Sequence, residues 1–371
     1  MSSLTEAGSQ FPQDGVCDMV YLDTDIVDAT KNRGLLERLY KESRGKPNTL
    51  YGLFFASDTV RYEDSAGIIG NDTVKALLRT GWESWVRHYG ANLIMIAKYT
   101  QAETGRAKSW LQGMNDITKD FNNAVPEYSV YPSYLVVMVN PYFKSGVDDV
   151  QEWNEVIQTL LNTGLVDGLV LSPATHIAVQ SGGKHLVTSV APWSTEPTIR
   201  CPNYEGVLTL LASLNMPPVK PYTFLTFVAR ASQFSSATNI PFTADTRDGA
   251  KSKWRFDYTR SVACYYYQSA GTSSRVDNET VSTYFQRLND TALYTIDTPQ
   301  NFASKACLAA QRHQFQGGYS VFNAEYAAAE RCNPIKLENG TVIKGKYANV
   351  HYIRTLRTRT FGGADCAQVP V

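Results

Sequence analysis

Apolar and polar positions along this chain follow two patterns, one typical of amphipathic helices and the other of buried strands. After Asn71, apolar residues recur at helical spacing, at Val74, Leu77, Leu78, Trp82, Trp85 and Val86. The short side-chain oxygen of Asn71 is suited to cap this helix, and Gly90 is predicted to end it. The apolar run Asn92–Tyr99 then predicts a parallel strand covered on both faces. A helix that leads directly into a buried strand indicates a repeated βα unit.

The same step recurs through most of the chain. Strands are predicted at residues 18–23, 50–56, 92–99, 134–140, 167–172, 222–228 and 317–322. Helices are predicted between them at about 34–43, 71–90, 107–121, 148–161, 205–214 and 298–313, the last with Pro299 at its first position. Residues from about 233 to 297 are rich in Ser, Thr, Gly, Arg and Tyr and predict an inserted lobe.

Strands that alternate with helices indicate an α/β fold with a parallel sheet. No GxGxxG or GxxxxGK[ST] loop follows a strand, which argues against a nucleotide-binding doubly wound sheet. A TIM barrel, (β/α)8, fits better, although the pattern supplies seven good strands. The predicted domains are a barrel over residues 1–332, which includes the lobe, and a polar C-terminal extension over residues 333–371.

Composition narrows the classes of partner. The chain has 371 residues, of which 43% are hydrophobic, and its formal net charge is zero. A balanced charge argues against nucleic acid or anionic membrane as the main partner. No apolar run approaches the roughly 20 residues that a membrane-spanning helix needs. Membrane insertion is therefore not expected, and no motif predicts a cofactor.

Cysteines and glycosylation sequons favour the secretory route. The six cysteines are scattered, with no CxxC pair or metal-ligand spacing. Four Asn-x-Ser/Thr sequons begin at Asn71, Asn278, Asn289 and Asn339. An extracellular location is predicted, with N-glycosylation at these asparagines. Because the N-terminus is polar and has no signal-peptide core, this sequence is expected to begin inside a longer precursor.

Taken in order, several segments resemble the family-18 chitinases and their inactive chitinase-like relatives. Cys17-Asp-Met-Val-Tyr-Leu is similar to that family's second strand, Cys-Thr-His-x-x-Tyr-Ala-Phe. Asn71–Tyr99 is similar to the helix and fourth strand that carry Phe-Asp-Gly-x-Asp-x-Asp-Trp-Glu. Further matches in the same order are Leu50–Asp58, Asp167–Thr175, Lys220–Phe234, Tyr294-Thr-Ile-Asp-Thr-Pro-Gln-Asn-Phe-Ala-Ser-Lys and Gly317–Cys332.

The resemblance implies a barrel whose first strand is absent, with a small α+β insertion after strand seven. It also implies a disulfide between Cys264 and Cys332, and it would pair Cys17 with a cysteine on the missing strand. The pairing of Cys201, Cys307 and Cys366 stays open.

Catalytic positions carried over from the family are all substituted. In that family a Glu after strand four protonates the leaving oxygen while the substrate's own acetamido group attacks. The Glu position falls on Tyr99, and the three Asp positions fall on Asn92, Met95 and Ala97. The sixth-strand Met, Tyr and Asp fall on Ser172, Ala174 and Thr175, and the eighth-strand Trp falls on Phe322.

This substitution pattern predicts an inactive protein. A phenol titrates at about 10 and a tuned catalytic carboxyl at about 6, so Tyr99 would be a poor proton donor to a glycosidic oxygen. Sliding the alignment by one residue supplies no acid. Candidate ligand-binding residues are Asp58, Tyr99, Phe322 and Glu325.

One other interpretation of the residues stays open. Asp23, Asp25, Asp58, Glu103 and Glu325 follow strands, where barrels keep their chemistry, and could form a relocated acid/base pair; solvated loop carboxylates are the simpler interpretation. His176 and His185 lack metal-ligand spacing, so no metal site is predicted.

Three functions compete. The first is a secreted, catalytically silent chitinase-like glycoprotein that binds an N-acetylglucosamine-containing glycan weakly or contacts an extracellular protein. The second is a glycoside hydrolase with relocated carboxylates. The third is a structural module of a larger extracellular protein.

Overall fold

A computed structural model of the chain describes residues 11–24, 29–55, 71–93, 101–125, 133–141, 147–174, 180–181, 184–185, 189, 191–194, 202–218, 221–229, 231–235, 253–258, 267, 271–287, 292–322, 335–345, 347–363 and 365–369. The chain divides into two compact units. The first comprises Met1–Asn140, Gln151–Leu171 and Ser213–Phe224, and the second comprises Pro141–Val150, Ser172–Ala212 and Leu225–Val371.

Within the described residues, the main sheet has seven strands in the order β1-β2-β3-β4-β5-β8-β14. Their bounds are β1 Met19–Thr24, β2 Leu50–Phe55, β3 Val86–Leu93, β4 Leu135–Val139, β5 Gly168–Leu171, β8 Tyr222–Val228 and β14 Gly318–Phe322. The strands β1 to β5 pair in parallel, each with the next along the chain. A parallel sheet with helices between consecutive strands is the arrangement of a TIM-barrel fold, and the seven strands agree with the number predicted.

Each helix of the first unit buries apolar side chains. They are α1 Ala29–Ser43, α2 Asp72–Glu83, α3 Gln101–Ala124 and most of α4 Val147–Leu161. The predicted cap of α2 is confirmed, because Asn71 Oδ1 accepts hydrogen bonds from the backbone N–H groups of Thr73 and Val74, at 3.0 and 3.3 Å. Trp82 on α2 and Trp110 on α3 are buried, as their spacing predicts.

One predicted boundary is wrong. The helix α2 ends at Glu83 rather than near Gly90, and β3 covers Val86–Leu93 rather than Asn92–Tyr99. The chain turns at Trp85, whose φ of 69° is left-handed. A tryptophan is an unusual residue for that conformation, so the sequence gives no ordinary helix-stop at this point.

The second unit contains the insertion after β8. Its strands are β9 Ala231–Ser235, β10 Lys253–Tyr258, β11 Thr272–Asp277, β12 Ser282–Arg287 and β13 Ala292–Ile296. They form a five-stranded antiparallel sheet in the order β10-β9-β13-β12-β11, which confirms the predicted lobe. Two short hairpins, β6 Gln180–Ser181 with β7 Lys184–His185 and β15 Ile335–Lys336 with β16 Val342–Ile343, complete the described strands.

The remaining helices are α5 Tyr204–Ser213, α6 Pro299–His313 and α7 Ala348–Leu356. Thr298 and Asn301 cap α6 reciprocally, and Pro299 stands at its start as predicted. The C-terminal extension is more than a polar tail, because α7 buries Val350, Tyr352 and Ile353 and packs against α6. A disulfide joins Cys307 on α6 to Cys366.

Candidate functional site

The shift of β3 changes which residues stand at its carboxyl end. Asn92 is the second-last residue of the strand, and the first positions after it are Ile94 and Met95. Met95, Ala97 and Tyr99 lie outside the described residues, between β3 and the start of α3 at Gln101. The family's Glu was placed on Tyr99 because a strand was predicted over residues 92–99, whereas the described strand covers Val86–Leu93; the placement itself stays a prediction.

The shifted register still supplies no acid. If the Glu position directly follows the strand at Ile94, the carboxylates two and four residues earlier fall on Asn92 and Gly90. No Asp or Glu occurs anywhere from Ser84 to Ala102, a stretch that includes all of β3 and the connection to α3. The lack of an acid in this stretch therefore does not depend on which of its residues is aligned with the family's Glu.

Aromatic rings occupy the sheet face on which Gly90 lies. A Cβ on Gly90 would collide with the ring of Phe54 on β2, and a Cβ on Gly52 would collide with the ring of Tyr21 on β1. The Tyr21 and Phe54 rings pack against each other with their centroids 4.6 Å apart. An aspartate at Gly90 would have no room unless Phe54 moved.

Titratable groups do cluster in the first unit, but at the amino ends of the strands. His88 Nδ1 accepts a hydrogen bond from the backbone N–H of Tyr134 at 3.2 Å, and the two rings stack 5.1 Å apart. Burial, helped by the charge of Arg87, lowers the pKa of His88 to about 4. The imidazole is therefore neutral at pH 7.

Asp167, directly before β5, belongs to the same end of the sheet. Its Oδ2 accepts from the Leu135 N–H at 2.8 Å, and burial raises the pKa of the carboxyl. Barrel enzymes keep their chemistry at the opposite, carboxyl ends of the strands. The hydrogen bonds of His88 and Asp167 connect neighbouring strands. The sequence analysis did not predict them, because it placed His88 in a helix.

In the second unit, the described residues at the positions that were compared with the family carry no ionisable group. Ser172 and Ala174 are buried, and Ser172 Oγ accepts from the Ala174 N–H at 3.4 Å. Thr226 on β8 and Ser320 on β14 share a hydroxyl hydrogen bond of 2.7 Å. Phe322 is the last residue of β14. Asp58, Thr175 and Glu325 lie outside the described residues.

A buried ion pair lies at the base of the lobe. Lys305 Nζ donates to Asp297 Oδ2 at 2.6 Å, to the Ala191 carbonyl at 2.6 Å and to Ser282 Oγ at 3.0 Å. Neither Lys305 nor Asp297 is exposed at all. Burial lowers the pKa of Lys305, and the carboxylate of Asp297 opposes that shift. With every ammonium proton engaged and no access for substrate, this cluster is structural.

The predictions for glycosylation, disulfides and metal sites were compared with the described residues. Asn71, Asn278 and Asn339 are exposed, whereas Asn289, Cys264 and Cys332 lie outside the described residues. Among the described side chains, no group of three or more His, Cys, Asp and Glu could hold a metal ion. No helix in the described part of the chain is both long and apolar enough to cross a membrane.

Comparison with solved structures gives the fold. A chitinase-like agglutinin from Robinia pseudoacacia has a TM-score of 0.58 and 12% identity, and the match covers 92% of this chain and 94% of that one. A catalytic domain of a group II chitinase from Ostrinia furnacalis, in complex with penta-N-acetylchitooctaose, has a TM-score of 0.53 and 12% identity and covers 94% and 91%. Chitinase ChiA74 from Bacillus thuringiensis has a TM-score of 0.55 and 8% identity, over 88% of this chain and 54% of that one.

Sequence comparison adds nothing to this. No protein-family model matches the chain, and no curated protein is significantly similar to it.

Proposed function

We propose that this chain, which has the fold of the family-18 chitinases and chitinase-like proteins, is a non-catalytic extracellular glycoprotein. Its proposed activity is weak binding of N-acetylglucosamine-containing glycans. The observation that carries the proposal is the absence of any Asp or Glu from Ser84 to Ala102, the stretch that contains β3 and its carboxyl end.

The physical argument concerns proton transfer. A leaving oxygen must receive its proton from an acid within hydrogen-bond reach, and the substrate's acetamido group must be held by a second carboxylate. Asn92, Gly90 and the apolar residues after β3 can do neither. The Phe54 ring lies where a side chain on Gly90 would be, so a carboxylate at this position would have no room. This packing further supports the proposal.

Binding without hydrolysis is the activity that a chitinase-like scaffold would retain. The similar Robinia protein is a chitinase-like agglutinin, and the similar Ostrinia domain is in complex with a chitooligosaccharide. An extracellular location is supported by the disulfide between Cys307 and Cys366 and by the exposed sequons at Asn71, Asn278 and Asn339.

The alternative is a glycoside hydrolase with relocated carboxylates. It is favoured by two acids that follow strands in the sequence: Asp58 is three residues after the end of β2, and Glu103 is in the first turn of α3, which follows β3. A carboxyl group at either place could replace the missing acid if substrate binding brought it to the glycosidic oxygen.

Two measurements on the full chain separate these functions. Titration calorimetry with chitohexaose is expected to show weak binding, and a fluorogenic chitooligosaccharide is expected to be hydrolysed no faster than in buffer. Turnover that is lost in Asp58→Asn or Glu103→Gln would establish the hydrolase instead. No heat at millimolar chitohexaose would defeat the glycan-binding proposal and leave a structural module.

A further inference from the structure

Exposed large side chains mark the amino ends of the strands in the first unit. Leu50 is the first residue of β2, Trp85 directly precedes β3, and Tyr222 is the first residue of β8; they are 43%, 40% and 65% exposed. Because the strands β1 to β5 run in parallel, and Tyr222 N–H donates to the Asp167 carbonyl beside β5, these residues share one edge of the sheet. We call Asp18, Leu50, Trp85, Asp167 and Tyr222 the N-terminal edge.

Trp85 is held in a conformation that costs stability. Its φ of 69° is left-handed, where a bulky residue costs on the order of 1–3 kcal/mol and glycine costs almost nothing. The position directly after the helix cap Ser84 is one that glycine usually fills. A large, half-exposed aromatic residue at this point is therefore hard to explain by stability alone.

The surroundings of Trp85 fix the indole in place. The Arg87 guanidinium lies 3.9 Å from the Trp85 ring centroid and 5.3 Å from that of buried Trp82. Arg87 Nε also donates to the Trp82 carbonyl at 3.1 Å. One side of the indole thus rests on a buried cation, and the ring is oriented before any ligand arrives, which lowers the entropy cost of binding.

A hydrogen-bond donor is held at Ser84, the residue that precedes this ring in the sequence. Arg44, on the exposed surface, donates Nε and Nη2 to Ser84 Oγ at 3.2 and 2.7 Å. Ser84 is the residue before Trp85, so these bonds fix the Arg44 guanidinium at the same end of β3 as the indole. The guanidinium has five N–H donors, and these two bonds leave others for an acceptor on a ligand.

Tyr222 is a second supported ring on the same edge. It meets Tyr134 edge-on with centroids 6.2 Å apart, and Tyr134 in turn stacks on His88. Three strand spacings separate the starts of β3 and β8, which is about 14 Å. Asp167 directly precedes β5, which lies in the sheet between β4, which follows Tyr134, and β8, which begins at Tyr222.

The combination of aromatic rings and charged groups on the N-terminal edge indicates the class of ligand. A protein interface needs a contiguous apolar centre from which charged residues are depleted. Here the aromatic rings share the edge with the carboxylates of Asp18 and Asp167, which the centre of a protein interface would exclude. Rings that stack on C–H faces, interleaved with groups that bond hydroxyls, suit an oligosaccharide.

We propose that Trp85 and Tyr222 are the stacking platforms of a glycan-binding surface on the N-terminal edge, separate from the carboxyl ends of the strands. Arg44 and Asp167 supply its hydrogen bonds to hydroxyl groups. The choice of an N-acetylglucosamine oligomer as the ligand rests on the proposed function; the position of the surface does not.

The test uses the full chain and chitohexaose. Chitohexaose is expected to protect tryptophan fluorescence from iodide quenching, because Trp85 is exposed while Trp82, Trp110, Trp153 and Trp193 are buried. The sixth tryptophan, Trp254, is present in both the wild type and Trp85→Gly, so the difference between the two proteins reports on Trp85. In Trp85→Gly this protection is expected to disappear, and calorimetric affinity is expected to fall about 5- to 10-fold, with a similar fall in Tyr222→Ala. The matched control is Tyr267→Ala, an exposed aromatic of the second unit, which should bind as the wild type does.

The outcomes distinguish the two proposals. Trp85→Gly should fold, with a melting temperature within about 3 °C of the wild type, because glycine relieves the left-handed strain. If both variants bind chitohexaose as the wild type does, the N-terminal edge is not the glycan-binding surface, and the proposed function still stands. No binding by the wild type would overturn both. Self-association that is lost in Trp85→Gly would assign the edge to a second copy of the chain and overturn the glycan proposal.

Discussion

At the residue scale, Gly90 shows how this sheet differs from one that carries catalytic acids. The position is on β3, yet its space is filled by the Phe54 ring of the neighbouring strand. Glycine is needed because even one carbon would meet that ring. The helix-stop predicted for Gly90 was therefore wrong: the residue lacks a side chain for reasons of packing between strands.

Gly90→Ala is expected to destabilise the protein by about 1–3 kcal/mol through overpacking against Phe54. Gly105→Ala is the matched control, since a Cβ at Gly105 in α3 would meet nothing within 4 Å. That change should be neutral or stabilising by up to about 1 kcal/mol, because alanine favours helix. Urea unfolding of both variants checks this, and equal effects would contradict the packing argument.

The buried His88 makes the free energy of unfolding depend on pH. Its folded pKa of about 4 lies below the ordinary value of 6.5, so the unfolded chain takes up a proton first as pH falls. The stabilisation is complete above about pH 6.5 and is lost progressively between pH 6.5 and 4. The full loss amounts to about 3 kcal/mol.

The free energy of unfolding, measured from pH 7.5 to 4, is expected to fall more steeply in the wild type than in His88→Asn. Asparagine keeps an acceptor for the Tyr134 N–H but does not titrate. The difference between the two curves isolates His88 from the carboxyl groups, including Asp167, whose raised pKa acts in the opposite direction. Parallel curves would show that His88 is not buried as neutral imidazole.

At the element scale, the lobe and α6 are joined by one buried ion pair. Asp297 directly follows β13, Ser282 begins β12, and Lys305 lies on α6, so a single ammonium group connects three elements. The family resemblance included the segment from Tyr294 to Lys305 but predicted no role for it. In the structure, this segment holds α6 against the sheet of the lobe.

Lys305→Met is expected to cost about 3–5 kcal/mol, because it leaves the Asp297 carboxylate buried without a counter-charge. Adding Asp297→Asn should recover part of this loss, since the amide removes the charge and still accepts from Ser282. The exposed pair Arg33 and Glu37 is the control, and Arg33→Ala should change stability by less than about 1 kcal/mol. A double variant no more stable than Lys305→Met would contradict this account.

At the scale of the whole molecule, the C-terminal extension is part of the folded second unit. The α7 helix packs against α6, Gln311 Nε2 donates to the Phe361 carbonyl at 2.8 Å, and the disulfide joins Cys307 to Cys366. The two cysteines are 59 residues apart and both are buried. The link therefore restricts a long loop of the unfolded chain.

Cys366→Ser is expected to lower the free energy of unfolding by about 4 kcal/mol, the chain-entropy value for a loop of this length. Guanidinium unfolding without reductant measures the loss. Reduction should destabilise the wild type by more than it destabilises the variant, because only the wild type can lose the bond between Cys307 and Cys366. A variant as stable as the oxidised wild type would mean that packing of α7 alone holds the extension.

Much of the architecture followed from hydrophobic pattern. The strand β8 at Tyr222–Val228 and the helix α6 at Pro299–His313 agree with their predicted bounds, because turn residues and caps flank clear apolar periods. The β3 boundary failed because the tryptophans and Val86 continue a helical spacing across a turn that only Trp85's backbone reveals.

The sequence by itself determined the α/β alternation, the inserted lobe and the lack of acidic residues from Ser84 to Ala102, since these depend on residue type and local period alone. Tertiary structure decided which residues face each other: Phe54 over Gly90, His88 on Tyr134, Lys305 with Asp297, and Trp85 on Arg87. These contacts depend on strand register and on one left-handed turn. A change of one residue in register exchanges the two faces of a strand, and local pattern does not fix that choice.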